Sequence, residues 1–205
     1  MEVIVNKFLF LPLSLLLSTA SLLGTTDEQR VILSKKFTRH AQEIGLPKKD
    51  LDGQQLDLLA EHYCKNHSKT LVAIIWPRGE AQIDLIKSMM KPKCKLLYQK
   101  CFYLENDGPK FLDQYAHPTK SHNSILKNAT NYIPVGMVGP FKFYTLLFKT
   151  DMLLSDIIFM KNNIRNAVGA SYFSLHIDDY NKESHHLCEM VFNDAKLDAI
   201  SHKIF

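Results

Sequence analysis

The chain of 205 residues has no CxxC pair, no HExxH, no internal repeat and no low-complexity segment. Without CxxC there is no zinc ribbon, and without HExxH the zincin signature is missing. Four cysteines, Cys64, Cys94, Cys101 and Cys188, are too scattered to form a framework. They allow two disulfides in an oxidising compartment or four buried thiols elsewhere. No stretch interleaves Arg or Lys with aromatics as a single-strand binder would and the net charge is only +4, so no nucleic-acid partner is expected. The most basic run, "KSMMKPKCK" at 87–95, reads as a solvated helix end and turn. What the chain does have is apolar residues, 46% of the total, enough for a core of ordinary size.

The first 24 residues, "MEVIVNKFLFLPLSLLLSTASLLG", have a short polar start, a leucine-dense stretch and small residues ending at Ala20. That layout predicts a signal peptide and an exported protein. The alternative is a membrane anchor over residues 8–24, and membrane contact is expected only if this segment stays uncleaved.

Residues 25–68 form a helical extension in this reading. "TTDEQRVILSKKFTRHAQEIGL" spaces Val31, Ile32, Phe37, Ala41 and Ile44 near helical period, and "LDGQQLDLLAEHYCKNH" puts Leu56, Leu59 and Tyr63 on one side. From 69 to 205 the texture alternates. "TLVAIIWP" is a continuous apolar run stopped by proline, a strand buried on both faces. "GEAQIDLIKSMM" is a helix, "CKLLYQKCFYL" a strand, "GPKFLDQYAH" a short helix, and 117–140 a loop. "FKFYTLLFK" is a third strand, "DMLLSDIIFMKNNIRNAV" a long helix, "SYFSLHI" a fourth strand and "NKESHHLCEMVFN" a final helix. This order predicts an α+β fold, a ferredoxin-like split β-α-β sandwich with an antiparallel sheet and helices on one face. A doubly wound parallel sheet is the runner-up.

The chemistry gathers at the fourth strand. Alternation over 171–177 sends Phe173, Leu175 and Ile177 to the core and Tyr172, Ser174 and His176 to the opposite face. His176 lies just before Asp178 and Asp179, where a strand end can present a nucleophile, a general base or a metal ligand. Glu183, one helical turn into the next element, is placed to orient the imidazole. Glu183, His186 and Glu189 also recur every third residue, which permits a metal site with His176 and Asp179 but does not specify one. A plain structural role for the histidine is the competing reading.

In "NNIRNAVGASYFSLHIDDYNKESHHLCEMVF", Ile164-Arg165, His176, Asp179, Glu183-Ser184 and Phe192 stand in the order and near the spacing of a known signature. It resembles the C-terminal part of nucleoside diphosphate kinases, where I-R precedes a strand ending N-x-x-H-G-S-D and a helix. "TLVAIIWPRGEAQIDLIKSMM" is similar to that family's opening strand, K-P-D turn and first helix, "VGPFKFYTLL" to its S-G-P strand, and Tyr115 to the tyrosine of its Y-x-x-H helix. The likeness spans about residues 70–193 and implies the same ferredoxin-like fold. It further implies ping-pong phosphoryl transfer between nucleoside di- and triphosphates, with Mg²⁺ on the phosphates. His176 would accept the phosphoryl group, Glu183 would orient it, and Arg165, Tyr115 and Arg78 would hold phosphate or nucleotide. Asp179 would stand at the metal. The chain departs from the pattern at Trp76, where the family has lysine, and at Ile177 and Asp178, where it has glycine and serine.

Three functions follow as expectations. The first is a divergent nucleoside diphosphate kinase-like domain transferring phosphate through His176. The second is a catalytically inactive, exported or membrane-anchored binding module of the same fold. The third is a metal site on His176, Asp179 and His186. An oligomer is compatible with all three.

Overall fold

The computed structural model describes residues 30–46, 51–105, 109, 112, 133–179 and 181–201. The leader segment, Tyr115 and most of the expected loop lie outside them, and the short helix over "GPKFLDQYAH" keeps only Pro109 and Leu112, both helical. In chain order the elements are β1 (Arg30–Ile32), α1 (Lys35–Arg39), α2 (Gly53–Asn66), β2 (Thr70–Ile75) and α3 (Ile83–Met90). Then follow β3 (Cys94–Leu104), β4 (Phe141–Thr150), α4 (Leu154–Val168), β5 (Leu175–Ile177), α5 (Asn181–Val191) and α6 (Asp194–Ser201). Single 3₁₀ turns over His40–Ile44, Pro77–Gln82 and Ser171–Phe173 join some of them.

The fold is α+β, with one sheet ordered β1-β3-β4-β2-β5 and every pairing antiparallel. The parallel alternative is thereby excluded. Every residue of β2 is buried. Val72 and Ile74 point into one core with Phe143 and Leu147, while Leu71, Ala73 and Ile75 point into the other with Leu146 and Phe148. Helices α2, α5 and α6 cover the first face, with Leu59, Leu187 and Leu197 among their contributions. Helices α3 and α4 cover the second through Ile86, Met90, Ile157 and Ile164. The expectation of helices on one face is therefore corrected to helices on both. A strand apolar at consecutive positions must bury both sides, so a second helical layer was implied by "TLVAII" itself.

Two local assignments also change. Residues 30–32 form β1, paired with Lys100, Gln99 and Tyr98 of β3, where one long helix was expected. The isolated helix period around Val31 and Ile32 gives way to a free sheet edge that a short strand can pair. In "SYFSLHI" only Leu175–Ile177 is strand, since Ser171–Phe173 turns as a 3₁₀ helix. The approach there is close: the Trp76 amide donates to the Ser174 carbonyl at 3.1 Å. A Cβ at Gly79 would come within 2.5 Å of that same oxygen, so the turn after β2 requires glycine. Helix α2 does match expectation, and Asp52 and Gln55 close a capping box at its start.

A buried ionic cluster joins the extension to the rest. The Arg30 guanidinium donates to Asp57 Oδ2 at 2.8 Å and to Asp194 Oδ2 at 2.7 Å. The Lys100 ammonium donates to Asp57 Oδ2 at 2.8 Å and Asp194 Oδ1 at 2.7 Å. The Tyr98 hydroxyl adds a 2.8 Å bond to Asp57 Oδ1. Two cations and two anions, from β1, α2, β3 and α6, thus neutralise one another. Lys100 is fully buried. Burial alone would raise the Asp194 carboxyl, but Lys100 and Arg30 outweigh it and hold the group below its ordinary range.

Removing Asp57 leaves two buried cations to share Asp194. Asp57→Ala is expected to lower the free energy of unfolding by about 3–5 kcal/mol, read by urea denaturation. Because the folded value of Asp194 is depressed, its contribution is present above the ordinary carboxylate pKa and is lost as pH falls towards the lowered one. The wild type should therefore lose stability on acidification through that window, and Asp194→Asn should lose part of that slope.

Candidate functional site

Strand β5 is an edge strand only three residues long, set against β2 with His176 opposite Ile74. Alternation works as expected on one side, since Leu175 and Ile177 enter the core beneath α4. The opposite side is not open. Helix α5 lies against β2, where the Val72 amide donates to Ser184 Oγ at 3.4 Å. His176 is consequently only 6% exposed.

The imidazole's Nε2 lies 2.9 Å from Asp178 Oδ1. Asp178 is itself fully buried, and its Oδ2 has no hydrogen-bond partner among the described residues. Burial pushes this carboxyl up to about 7, against opposing pulls from the Ser184 hydroxyl and the Lys161 ammonium. One proton between the two groups satisfies the contact, carried either by the carboxyl or by Nε2. Asp178 was not among the expected site residues. Carrying the strand alternation one step past His176 places Asp178 on the same face and would have found it.

The other expected residues are tied to neighbours. Glu183 Oε2 accepts from the Asp179 amide at 3.2 Å, an acidic side chain folding back over the start of α5. The contact made at His176 Nε2 is with Asp178. Asp179 forms an ion pair with Lys161, whose ammonium also donates to the Ile177 carbonyl at 3.0 Å. Arg165 sends Nε and one terminal nitrogen to the Leu175 carbonyl, at 3.1 and 2.9 Å, and its guanidinium lies 4.6 Å from the Tyr172 ring centroid. It fastens α4 to β5. Arg78 Nε donates to the Ile133 carbonyl at 3.3 Å. Tyr115 lies outside the described residues.

Among the described residues the expected donors are engaged elsewhere or stand apart. Asp179 is engaged with Lys161, Glu189 pairs with Lys65 at 2.6 Å, and His186 is exposed on the far side of α5. Among the described residues no group of three or more His, Cys, Asp or Glu side chains could hold a metal ion. All four cysteines are buried free thiols. Nor is any helix among the described residues long and apolar enough to cross a membrane.

What the arrangement can do chemically is limited by access. Arg165, His176, Asp178, Asp179 and Glu183 all lie on or beside β5. His176 meets Asp178, Glu183 accepts from the Asp179 amide, Asp179 pairs with Lys161, and Arg165, from α4 on the other face of the sheet, donates to the Leu175 carbonyl. No protein-family model matches the chain, and neither a curated protein nor a solved structure was found to match it.

The raised Asp178 carboxyl gives this site a pH signature. Between the ordinary aspartate value and about 7 the folded state keeps a proton that the unfolded state has lost, so stability falls as pH rises through that interval. Asp178→Asn removes the titration. It should flatten the slope between about pH 4 and 7 and raise stability at pH 8 by on the order of a few kcal/mol, measured by thermal denaturation across pH.

Proposed function

We propose that the chain is a non-catalytic binding module built on a ferredoxin-like sandwich, exported or anchored through its N-terminal segment. The ferredoxin-like part of the reading is supported by two β-α-β units, β2-α3-β3 and β4-α4-β5, with strand order β5-β2-β4-β3 inside the larger sheet. In this reading β1, α2 and α6 are additions to that unit.

One observation carries the non-catalytic reading: His176 is buried and bonded to a buried carboxyl. A phosphoryl acceptor needs a ring nitrogen that a triphosphate can approach in line. A phosphorylated His176 would bring further negative charge beside Asp178, and the nearby Lys161 is already committed to Asp179 and the Ile177 carbonyl. Arg165, the expected clamp, spends two donors on Leu175. Trp76, where the nucleoside diphosphate kinases that the motif resembles have lysine, is fully buried in the core.

The second reading, a divergent nucleoside diphosphate kinase-like phosphotransferase, is favoured by the convergence of Arg165, His176, Asp179 and Glu183 on one α4–β5–α5 unit. Incubation with γ-labelled ATP and Mg²⁺ separates the two. The binding module should show no acid-labile, alkali-stable label. Label that vanishes in His176→Ala would establish the phosphotransferase instead.

A further inference from the structure

Cys64 of α2 and Cys188 of α5 are fully buried in the first core, between helices that pack directly against each other. Cys64 Sγ donates to the Ser184 carbonyl of α5 at 3.6 Å. Cys188 Sγ donates to the next carbonyl, that of His185, at 3.1 Å. Side chains of a helix lean towards its N-terminus, so Cys188 reaches back over the same turn that Cys64 meets from across the interface. The two thiols are hydrogen-bond neighbours, and that contact, ahead of burial, pushes the Cys64 thiol well above its ordinary range.

The other two cysteines are placed elsewhere. Cys94 lies in the second core, where its Sγ meets Met160 Sδ at 3.7 Å. Tyr98, Phe102 and Leu104 of β3 point into the first core, so alternation turns Cys101 to the opposite side of the sheet. Cys94 and Cys101 are also held roughly 20 Å apart along β3. The sheet therefore separates both of them from Cys64 and Cys188, and the strand separates them from each other.

We infer that Cys64 and Cys188 form a disulfide that, once closed, fixes α5 to α2. The step is thiol–disulfide exchange with a low-molecular-weight disulfide of the glutathione class. The Cys64 thiolate attacks one sulfur of that oxidant, its S–S bond breaks, and one thiol leaves. Cys188 then attacks the Cys64 sulfur and displaces the second thiol. The two cysteines lose two electrons and two protons, and the oxidant is reduced to two thiols. In the folded chain both sulfurs are shut away from such an oxidant, so the exchange belongs to folding, before the helices close. The loop it closes holds strands β2 to β5, and α5 is the helix that covers His176. The bond is independent of what the module binds, and the oxidising compartment that it needs is one that export would supply.

The test refolds the full chain from urea in a buffer of reduced and oxidised glutathione. Remaining thiols are then blocked in denaturant and the unreduced digest is mapped by mass spectrometry. One joined peptide pair is expected, through Cys64 and Cys188, with Cys94 and Cys101 blocked. The oxidised protein should melt roughly 5–10 °C above the same protein kept in dithiothreitol. Cys64→Ala and Cys188→Ala should each lose the joined pair and the shift, and Cys94→Ala should keep both. The map of the wild-type chain decides even where a variant fails to fold. Four blocked cysteines, a bond through Cys94 or Cys101, or a Cys64–Cys188 bond that does not raise the melting temperature overturns the pairing.

Discussion

Asp57 holds the molecule's two ends to its sheet. One carboxylate on α2 takes hydrogen bonds from Arg30 of β1 and from Lys100 and Tyr98 of β3, and Asp194 of α6 closes the ring from the C-terminal side. The cations have left water at a cost that only close, multiple pairing offsets. Geometry fixes the order of assembly around it. Gly53, the first residue of α2, leaves space that a Cβ would fill at 2.9 Å from the Arg30 guanidinium, so the helix can start only where the arginine lies flat against it. Shifting β1 by one residue would take Arg30 off that face altogether.

That constraint reaches the histidine. With α2 held against the sheet by Asp57, α5 packs beside it, and Cys64 of α2 meets the backbone of Ser184 on α5 at 3.6 Å. The helix that lowers Ser184 onto Val72 is the same one that covers His176. The face of β5 expected to look outward is thus an interior face, and the imidazole, needing a polar partner away from water, has Asp178 two residues along the chain, just past the strand's end. The carboxyl then bears the desolvation and its pKa rises. The residues that suggested a site in one dimension also satisfy one another's burial in three.

Sequence carried the local part of this well. The apolar block of β2, the ends of β3 and β4 and the span of α2 were legible because propensity, period and turn residues agreed. The grouping of Arg165, His176, Asp179 and Glu183 was legible too, since all lie within 19 residues of one another. What was not legible depended on long-range pairing. Arg30 and Asp57 are 27 positions apart, and Arg30 and Asp194 are 164 apart. No local pattern marks such partners. β1 was hidden for the same reason: three residues acquire strand geometry only because the edge of β3 is there to receive them. The second helical layer was a different case, since "TLVAII" already demanded it and a one-faced sandwich ignored the demand.

The charged residues of this chain sort by what surrounds them. Lys100 is enclosed between two carboxylates, Lys161 between a carboxylate and a carbonyl, and Arg165 closes on a single carbonyl beneath a tyrosine ring. Each of these cations stabilises a junction between elements, and folding accounts for its place. Around His176 the contacts are of the same kind, with Asp178 meeting the imidazole and Glu183 the Asp179 amide.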